Sequence, residues 1–150
     1  MIGPDGRAGV WFFSLDAARL LAVIGARVSY GLPYYWARMS LREDKGVVQY
    51  RSARYLRRGL VEVSVRPGDA LAQGPLEEFL TARYGLFSLH HGRLCYGPVD
   101  HAPWPLHRAE VLDLRQDLVQ AAGLAAPPEE PVVHYSPGVE VRVGALEKLT

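Results

Sequence analysis

The alternation of apolar and polar side chains predicts a chain built mainly from strands. Residues 34–42 alternate with a period of two, and segments 47–54 and 61–66 repeat this pattern. Such a period is typical of a strand that turns one face toward a core. A hairpin-turn signal at residues 43–46 separates the first two runs, and Pro67 ends the third. We therefore expect an antiparallel meander of three strands.

Spacings of three and four residues predict two helices. The first has apolar residues at positions 20, 23, 24 and 28, with Asp16 as its N-cap and Gly31 as its end. Its apolar stripe is expected to face a sheet. The second begins at Gly74 and Pro75, because proline suits the first helical position, and ends at Gly85. A short third helix is predicted near residues 115–122.

The remaining apolar runs predict short strands at 10–15, 86–90, 93–99, 109–114, 132–135 and 139–143, with a proline-rich loop at 125–131. The chain has no internal repeat and no interdomain linker. About eight short strands with two or three helices favour one domain over residues 1–150. The predicted class is mainly β (α+β), with a curved or closed antiparallel sheet and the helices packed outside it.

Composition and charge narrow the functional classes. A chain of 150 residues, 49% hydrophobic and 22% charged, has enough apolar surface for a folded core. The formal net charge of +1 gives no general attraction to nucleic acid or to an anionic membrane. No apolar run reaches the roughly 18 residues of a membrane span, and the N-terminus lacks a signal-peptide pattern. Because the single Cys95 cannot form an internal disulfide, we expect a cytoplasmic location.

The candidate chemistry is concentrated where the first helix ends and the first strand of the meander begins. Strand alternation places Tyr34, Trp36 and Arg38 on one face and Tyr35 on the other. A tyrosine hydroxyl and a guanidinium on one face can hold a carboxylate or an enolate oxygen. The alternative is that these side chains only form the core and its rim, because aromatic residues dominate protein cores.

Further candidates come from the neighbouring strand and from a proline-rich crossing segment. Arg51 lies on the adjacent strand of the meander and can join an anion site, but a solvated, salt-bridged face is the preferred interpretation of the arginines of this strand. His101, close to Trp104, is the best acid–base candidate, and Trp104 and Tyr35 are further predicted ligand-binding residues. The alternative for His101 is a ring that is held by backbone hydrogen bonds.

Metal and cofactor sites are not predicted. None of the histidines has the spacing of metal ligands, such as two histidines four residues apart on a helix; they are His90, His91, His101, His107 and His134. The glycines near the N-terminus precede a strand, whereas a phosphate-binding loop precedes a helix. A Gly-x-Ser-x-Gly motif is also absent from the sequence.

Several separated segments resemble the uncharacterised YqjF-like family, which is similar to a distant branch of the acetoacetate decarboxylase-like fold. These segments are WFFS at 11–14, GLPYYWARM at 31–39, HAPWPL at 101–106 and HYSPGV at 134–139. The resemblance extends over essentially the whole chain. It implies a cone-like β-barrel around a small cavity, shortened at the N-terminus by a segment of sheet that family members carry. An open sheet edge would favour a homodimer or a partner chain that completes the barrel.

The enzyme branch of that fold carries a Gly-x-Pro-Lys-Lys motif, whose first lysine forms a Schiff base with a keto acid. Tyr34 and Tyr35 stand at the two lysine positions here. Because a phenol cannot form an imine with a ketone, the resemblance predicts that the chain is not an acetoacetate decarboxylase. The two lysines that are present, Lys45 and Lys148, are poorly placed to substitute.

Together these observations predict a barrel that binds a small organic acid or carbonyl compound without Schiff-base chemistry and without a cofactor. Any remaining reaction would be proton transfer next to a carbonyl, with Tyr34 or His101 supplying the proton and an arginine stabilising the enolate. The alternative is a noncatalytic structural or interaction protein. Such a protein would dimerise or dock to a partner chain.

Overall fold

Two curved sheets form the body of the protein in the computed structural model, which describes residues 1–126 and 130–149. In these residues the helices are α1 (Leu20–Tyr30), α2 (Pro75–Thr81) and α3 (Leu118–Ala121). The strands are β1 (Val10–Trp11), β2 (Leu15–Ala17), β3 (Tyr34–Asp44), β4 (Val47–Arg54), β5 (Leu60–Ala70), β6 (Gly85–His90), β7 (Arg93–His101), β8 (His107–Gln116), β9 (His134–Tyr135), β10 (Val141–Val143) and β11 (Glu147–Lys148). The predicted mainly β class with three helices is confirmed.

The predicted meander forms the centre of a six-stranded sheet. Its strand order is β2-β3-β4-β5-β8-β9, and β3, β4 and β5 pair antiparallel with one another. The prediction that Pro67 ends the third strand is wrong, because β5 continues to Ala70 opposite β8. The register shifts between Pro67 and Ala70. Such an irregularity accommodates a residue that cannot donate a ladder hydrogen bond.

The second sheet contains the predicted β6–β7 hairpin, which turns at Gly92 with φ of +73°. Its order is β1-β6-β7-β10, and β11 also pairs with β7. Among the described strands no pairing joins this sheet to the other. The architecture is therefore a curled half-barrel, which agrees with the curved alternative of the prediction.

The prediction of a single strand at residues 10–15 is wrong, because two strands, β1 and β2, begin in this segment. Val10 pairs with Leu86 of the second sheet, whereas Leu15 pairs with Tyr34 of the first, and both pairings are parallel. The segment between β1 and β2 therefore crosses from one sheet to the other. Residues 10–13 and 15 are all apolar, so their side chains do not alternate between apolar and polar along the segment. The sequence pattern therefore does not reveal where the chain crosses from one sheet to the other.

Helix α1 ends as predicted and begins differently. Gly31 has φ of +63°, and its N–H donates to the Arg27 carbonyl at 3.1 Å, which is the left-handed end expected of glycine. Asp16 is not the N-cap, because it belongs to β2 and the helix starts after Arg19. The expectation that the apolar stripe faces a sheet holds only for Val23, which is buried.

The other predicted elements are present with altered bounds. Helix α2 begins at Pro75 as expected but ends at Thr81, and Gly85 starts β6 instead. The strand predicted at 109–114 is β8, the third helix is α3, and the last two predicted strands are β9 and β10. The central part of the predicted proline-rich loop, residues 127–129, lies outside the described residues.

The most closely packed part of the interior lies around β6 and β7. Phe87 and Cys95 are each 1% exposed, and the Phe87 ring contacts the Tyr96 ring edge-on with centroids 5.2 Å apart. A Cβ at Gly9 would stand only 2.7 Å from the Phe87 ring, so the N-terminal segment needs glycine to pass over it. Other buried apolar residues are Val23, Leu32, Ala37, Val48, Leu86 and Leu106.

Candidate functional site

A cavity of about 700 Å3 lies between the two sheets. Strands β1, β2, β3, β6, β7, β9 and β10 contribute to its wall, together with the end of α2 and the segment that joins β7 to β8. Most of the lining side chains are apolar, among them Val10, Leu15, Leu86, Val99, Leu106 and Val141. This volume and this lining are typical of a small-molecule site.

Tyr34 reaches the cavity because of the turn that precedes β3. The Tyr34 N–H donates to the Leu32 carbonyl at 2.8 Å, and the Pro33 carbonyl accepts from the Leu15 N–H at 3.0 Å. These bonds fix the first residue of β3 beside β2, so that Tyr34 and Leu15 line the cavity together. Tyr35, the next residue, is on the opposite face.

His101 and Trp104, the other predicted candidates in this region, line the same cavity as Tyr34. The His101 ring stacks on Tyr84 with centroids 4.8 Å apart and meets the Trp104 ring edge-on at 5.8 Å. Its Nδ1 lies 2.8 Å from the carbonyl oxygen of Ala102. Because a carbonyl only accepts, this contact requires a hydrogen on Nδ1.

His134 also lines the cavity, and its partner is a carboxylate that the sequence did not indicate. The His134 Nε2 lies 3.4 Å from Oε1 of Glu77, and the two side chains are 17% and 16% exposed. Glu77 occupies the first turn of α2, where its Oε2 accepts the Gly74 N–H at 3.0 Å. The helix start at Pro75 is predicted from the sequence, but the proximity of Glu77 to His134 is not.

The Glu77 carboxyl is held in its charged form. Hydrogen bonds from the backbone N–H groups of Glu77 and Gly74 lower its pKa below the ordinary value of 4.5. Partial burial opposes this effect, whereas the nearby His134 and Arg108 charges add to the lowering of the pKa. The carboxylate that faces His134 is therefore negatively charged at neutral pH.

Arg83 supplies a cation to the cavity wall. The centre of its guanidinium lies 4.4 Å from the Phe79 ring centroid. In the part of the chain that the structure describes, no carboxylate forms a salt bridge with Arg83. Arg83 therefore adds a positive charge to a mainly apolar wall.

Arg38 and Arg51 do not line the cavity with Tyr34. They line a polar groove of about 530 Å3 farther along the first sheet, together with Arg42, Glu62 and other polar residues of β3, β4 and β5. The Arg51 Nε lies 2.6 Å from Oε1 of Glu62. Arg38 is four residues beyond Tyr34 on β3, which is about 13 Å at roughly 3.3 Å per residue. The structure thus separates the predicted tyrosine from the predicted arginines.

Trp36 and Tyr35 lie outside both sites. The Trp36 Nε1 donates to the Ala18 carbonyl at 3.1 Å, and its ring lies 4.2 Å from that of Tyr55. The Tyr35 ring lies 4.1 Å from the guanidinium of Arg54. These contacts explain both aromatic residues through packing.

Within residues 1–126 and 130–149, no three His, Cys, Asp or Glu side chains cluster as metal ligands would. None of the helices in these same ranges combines the length and the apolar character that crossing a bilayer requires.

Comparisons with known proteins place the chain in a family. The model of the DUF2071 family, described as an uncharacterised conserved protein, matches residues 2–140. The uncharacterised protein YqjF of Bacillus subtilis (strain 168) is 33% identical over 147 residues, which cover 95% of this chain and 61% of that protein. The chain thus spans about three fifths of the length of this curated relative. No solved structure matches the chain significantly.

These matches confirm the predicted resemblance to the YqjF-like family. The more distant relationship to the acetoacetate decarboxylase-like fold stays a prediction, because neither match extends to that superfamily. The family model covers most of the chain, and YqjF of Bacillus subtilis has the same residue at 33% of the 147 aligned positions. The chain therefore belongs to the DUF2071 family of uncharacterised conserved proteins.

Proposed function

We propose that the protein binds a small organic acid or carbonyl compound in the cavity between its two sheets. The observation that carries this proposal is that Tyr34, Arg83 and His101 all line one cavity whose wall is mainly apolar. A cavity of about 700 Å3 suits a ligand with a short apolar tail. The few polar groups would fix the orientation of that ligand, and the apolar lining would cover its tail.

Arg83 and Tyr34 would each bind a different functional group of such a ligand. Arg83 would hold a carboxylate, because a guanidinium offers two parallel N–H donors to two carboxylate oxygens. The Tyr34 hydroxyl would donate to a carbonyl oxygen. Because no lysine lines the cavity in the described residues, the ligand would be held without a covalent bond to the protein.

A thermal-shift titration tests this proposal. The probes are short-chain 2-oxo acids with straight and branched tails, and one matched set separates the recognised groups. That set is 4-methyl-2-oxopentanoate, 4-methylpentanoate, which lacks the ketone, and 4-methylpentan-2-one, which lacks the carboxylate. A ligand that binds only the folded state raises the melting temperature. We expect the oxo acid to give the largest rise.

Two variants in the cavity and one outside it locate the binding site. Arg83→Gln is expected to abolish the shift by acids, and Tyr34→Phe to reduce the advantage of the oxo acid over 4-methylpentanoate. Arg38→Gln is the matched control, because Arg38 lines only the polar groove. A shift that disappears in Arg38→Gln and persists in Arg83→Gln would move the site to that groove. If no probe shifts the wild-type protein, the proposal fails.

A second candidate function is interaction with another copy of the chain, and the outer face of α1 favours it. Leu21 is 83% exposed and Val28 is 67% exposed, and seven residues place them on one side of the helix with Ile24. Apolar residues grouped in this way are typical of interaction surfaces. Light scattering would detect a dimer, and Leu21→Glu would dissociate it without changing the acid-induced shift. A monomeric wild-type protein would exclude this candidate.

A further inference from the structure

We infer that Glu77 and His134 form a proton-transfer pair, in which His134 removes a proton from the carbon next to the carbonyl of a 2-oxo acid bound in the cavity. This inference rests on the proposed function, because it assigns chemistry to the same cavity. It gives His134 the role of catalytic base and Glu77 the role of a positioning residue.

Each oxygen of the Glu77 carboxylate has a neighbouring polar group. Its Oε2 accepts the Gly74 N–H at 3.0 Å at the start of α2, and its Oε1 faces the His134 Nε2 at 3.4 Å. His134 is in turn held by β9, where it pairs with Arg108 of β8. The two elements therefore place a carboxylate beside an imidazole that lines the cavity, although the two residues are far apart in the sequence.

This arrangement favours one tautomer of His134. A carboxylate beside Nε2 favours the form in which Nε2 carries the hydrogen, and the free lone pair is then on Nδ1. The same carboxylate stabilises the imidazolium that forms when Nδ1 accepts a proton. His101 differs, because its Nδ1 faces a backbone carbonyl and carries no such negative charge beside it. His134 is therefore better arranged than His101 to act as a base.

The proposed step transfers a proton from the substrate carbon to His134. The C–H bond next to the carbonyl breaks, its proton forms an N–H bond at Nδ1 of His134, and the electron pair moves to the carbonyl oxygen. The resulting enolate oxygen accepts a hydrogen bond from the Tyr34 hydroxyl. Return of a proton to the carbon completes a keto–enol interconversion. Between the two steps the imidazolium exchanges its proton with water, so hydrogen from the solvent enters the substrate.

Deuterium exchange measures this reaction directly. The full chain is incubated with 4-methyl-2-oxopentanoate in deuterated buffer, and loss of the proton signal at C3 is followed by NMR. We expect wild-type protein to accelerate the exchange above the buffer rate. His134→Gln is expected to lower the protein-dependent rate by about 10²- to 10⁴-fold, which is the usual contribution of a positioned base. Added imidazole is expected to restore part of the exchange in His134→Ala.

Glu77→Gln separates a positioning role from a structural one. Glutamine keeps an oxygen for the Gly74 N–H, so α2 retains its cap, but the charge beside His134 is lost. The variant is expected to keep the ligand-induced thermal shift and to lose most of the exchange. Glu78→Gln, in the same helical turn, and His107→Gln, outside the cavity, are the matched controls and are expected to exchange at the wild-type rate.

The outcomes distinguish this inference from the proposed function. If the oxo acid raises the wild-type melting temperature but its C3 proton exchanges only at the buffer rate, the pair is not catalytic and the binding proposal stands. Full exchange in folded His134→Gln would also overturn the inference. If no probe binds, the binding proposal itself fails, and the assignment of chemistry to the cavity fails with it.

Discussion

Asp16 and Arg54 form a salt bridge inside the protein, with Oδ1 of Asp16 2.7 Å from Nε of Arg54. Their side chains are only 7% and 3% exposed. The other Asp16 oxygen accepts the Ser52 hydroxyl at 2.8 Å, and the guanidinium lies over the Tyr35 ring. The pair connects β2 to β4 across β3. It therefore fixes the beginning of β3, where Tyr34 enters the cavity.

Loss of the Asp16 carboxylate is expected to destabilise the fold strongly. Asp16→Ala leaves the buried Arg54 charge without its partner, and an uncompensated buried charge typically costs about 3–5 kcal/mol of unfolding free energy. Urea denaturation measures this change. The matched control is Glu110→Ala, which removes the exposed salt bridge to Arg66 and is expected to cost about 1 kcal/mol or less. Equal costs for the two variants would contradict the role of the buried pair.

Asp16 also shows where sequence reasoning ends. An aspartate just before a helical run is a reasonable N-cap, and local spacing cannot reveal that its partners, Ser52 and Arg54, lie on a strand much later in the chain. Elements with local signals were predicted well, as the left-handed Gly31 and the start of α2 at Pro75 show. The parallel pairings of β1 and β2 have no local signal, because they depend on contacts between distant segments.

The candidate site also depends on contacts between distant segments that the sequence pattern does not reveal. Alternation and the family resemblance selected Tyr34, which lines the cavity, but alternation alone placed Arg38 with it. A shared face does not ensure a shared pocket, because successive residues on one face of a strand are roughly 7 Å apart. No residue near His134 in the sequence indicates a partner for it. Its partner, Glu77, belongs to helix α2, which lies beside β9 only in the folded protein.

Two glycines of the α1 region are expected to respond in opposite ways to alanine. A Cβ at Gly31 would clash with the backbone of Leu89, and its φ of +63° is unfavourable for alanine, so Gly31→Ala is expected to cost more than about 1 kcal/mol. Gly25 lies inside α1 with open space around it, so Gly25→Ala is expected to stabilise by about 0.5–1 kcal/mol. Chemical denaturation compares the two. Equal effects would show that α1 does not end where the structure places its end.

Treatment with borohydride in the presence of acetoacetate is expected to leave the protein mass unchanged. Reduction traps an imine, and an imine requires an amine in the cavity. Tyr34 stands at the cavity wall, whereas Lys45 lies in the β3–β4 turn and Lys148 in β11. Tyr34→Lys provides the positive control, because it places an amine at the position of the phenol. A trapped adduct on the wild-type chain as abundant as the one on Tyr34→Lys would contradict a noncovalent site.

Acid is expected to weaken the fold partly through Glu77. Its pKa is lower in the folded protein than the ordinary 4.5, so its stabilisation is complete above that value and is lost as the pH falls through the folded-state pKa. The backbone N–H groups of Glu77 and Gly74 contribute most to this lowering of the pKa, and His134 and Arg108 add to it. The pKa of Asp5 is lowered by Arg7, so Asp5 also contributes to the loss of stability in acid. The contribution of Glu77 is therefore measured by comparing two variants. Urea unfolding below pH 4.5 is expected to show a shallower decline in Glu77→Gln than in Glu78→Gln, and parallel declines would mean that Glu77 has no such role.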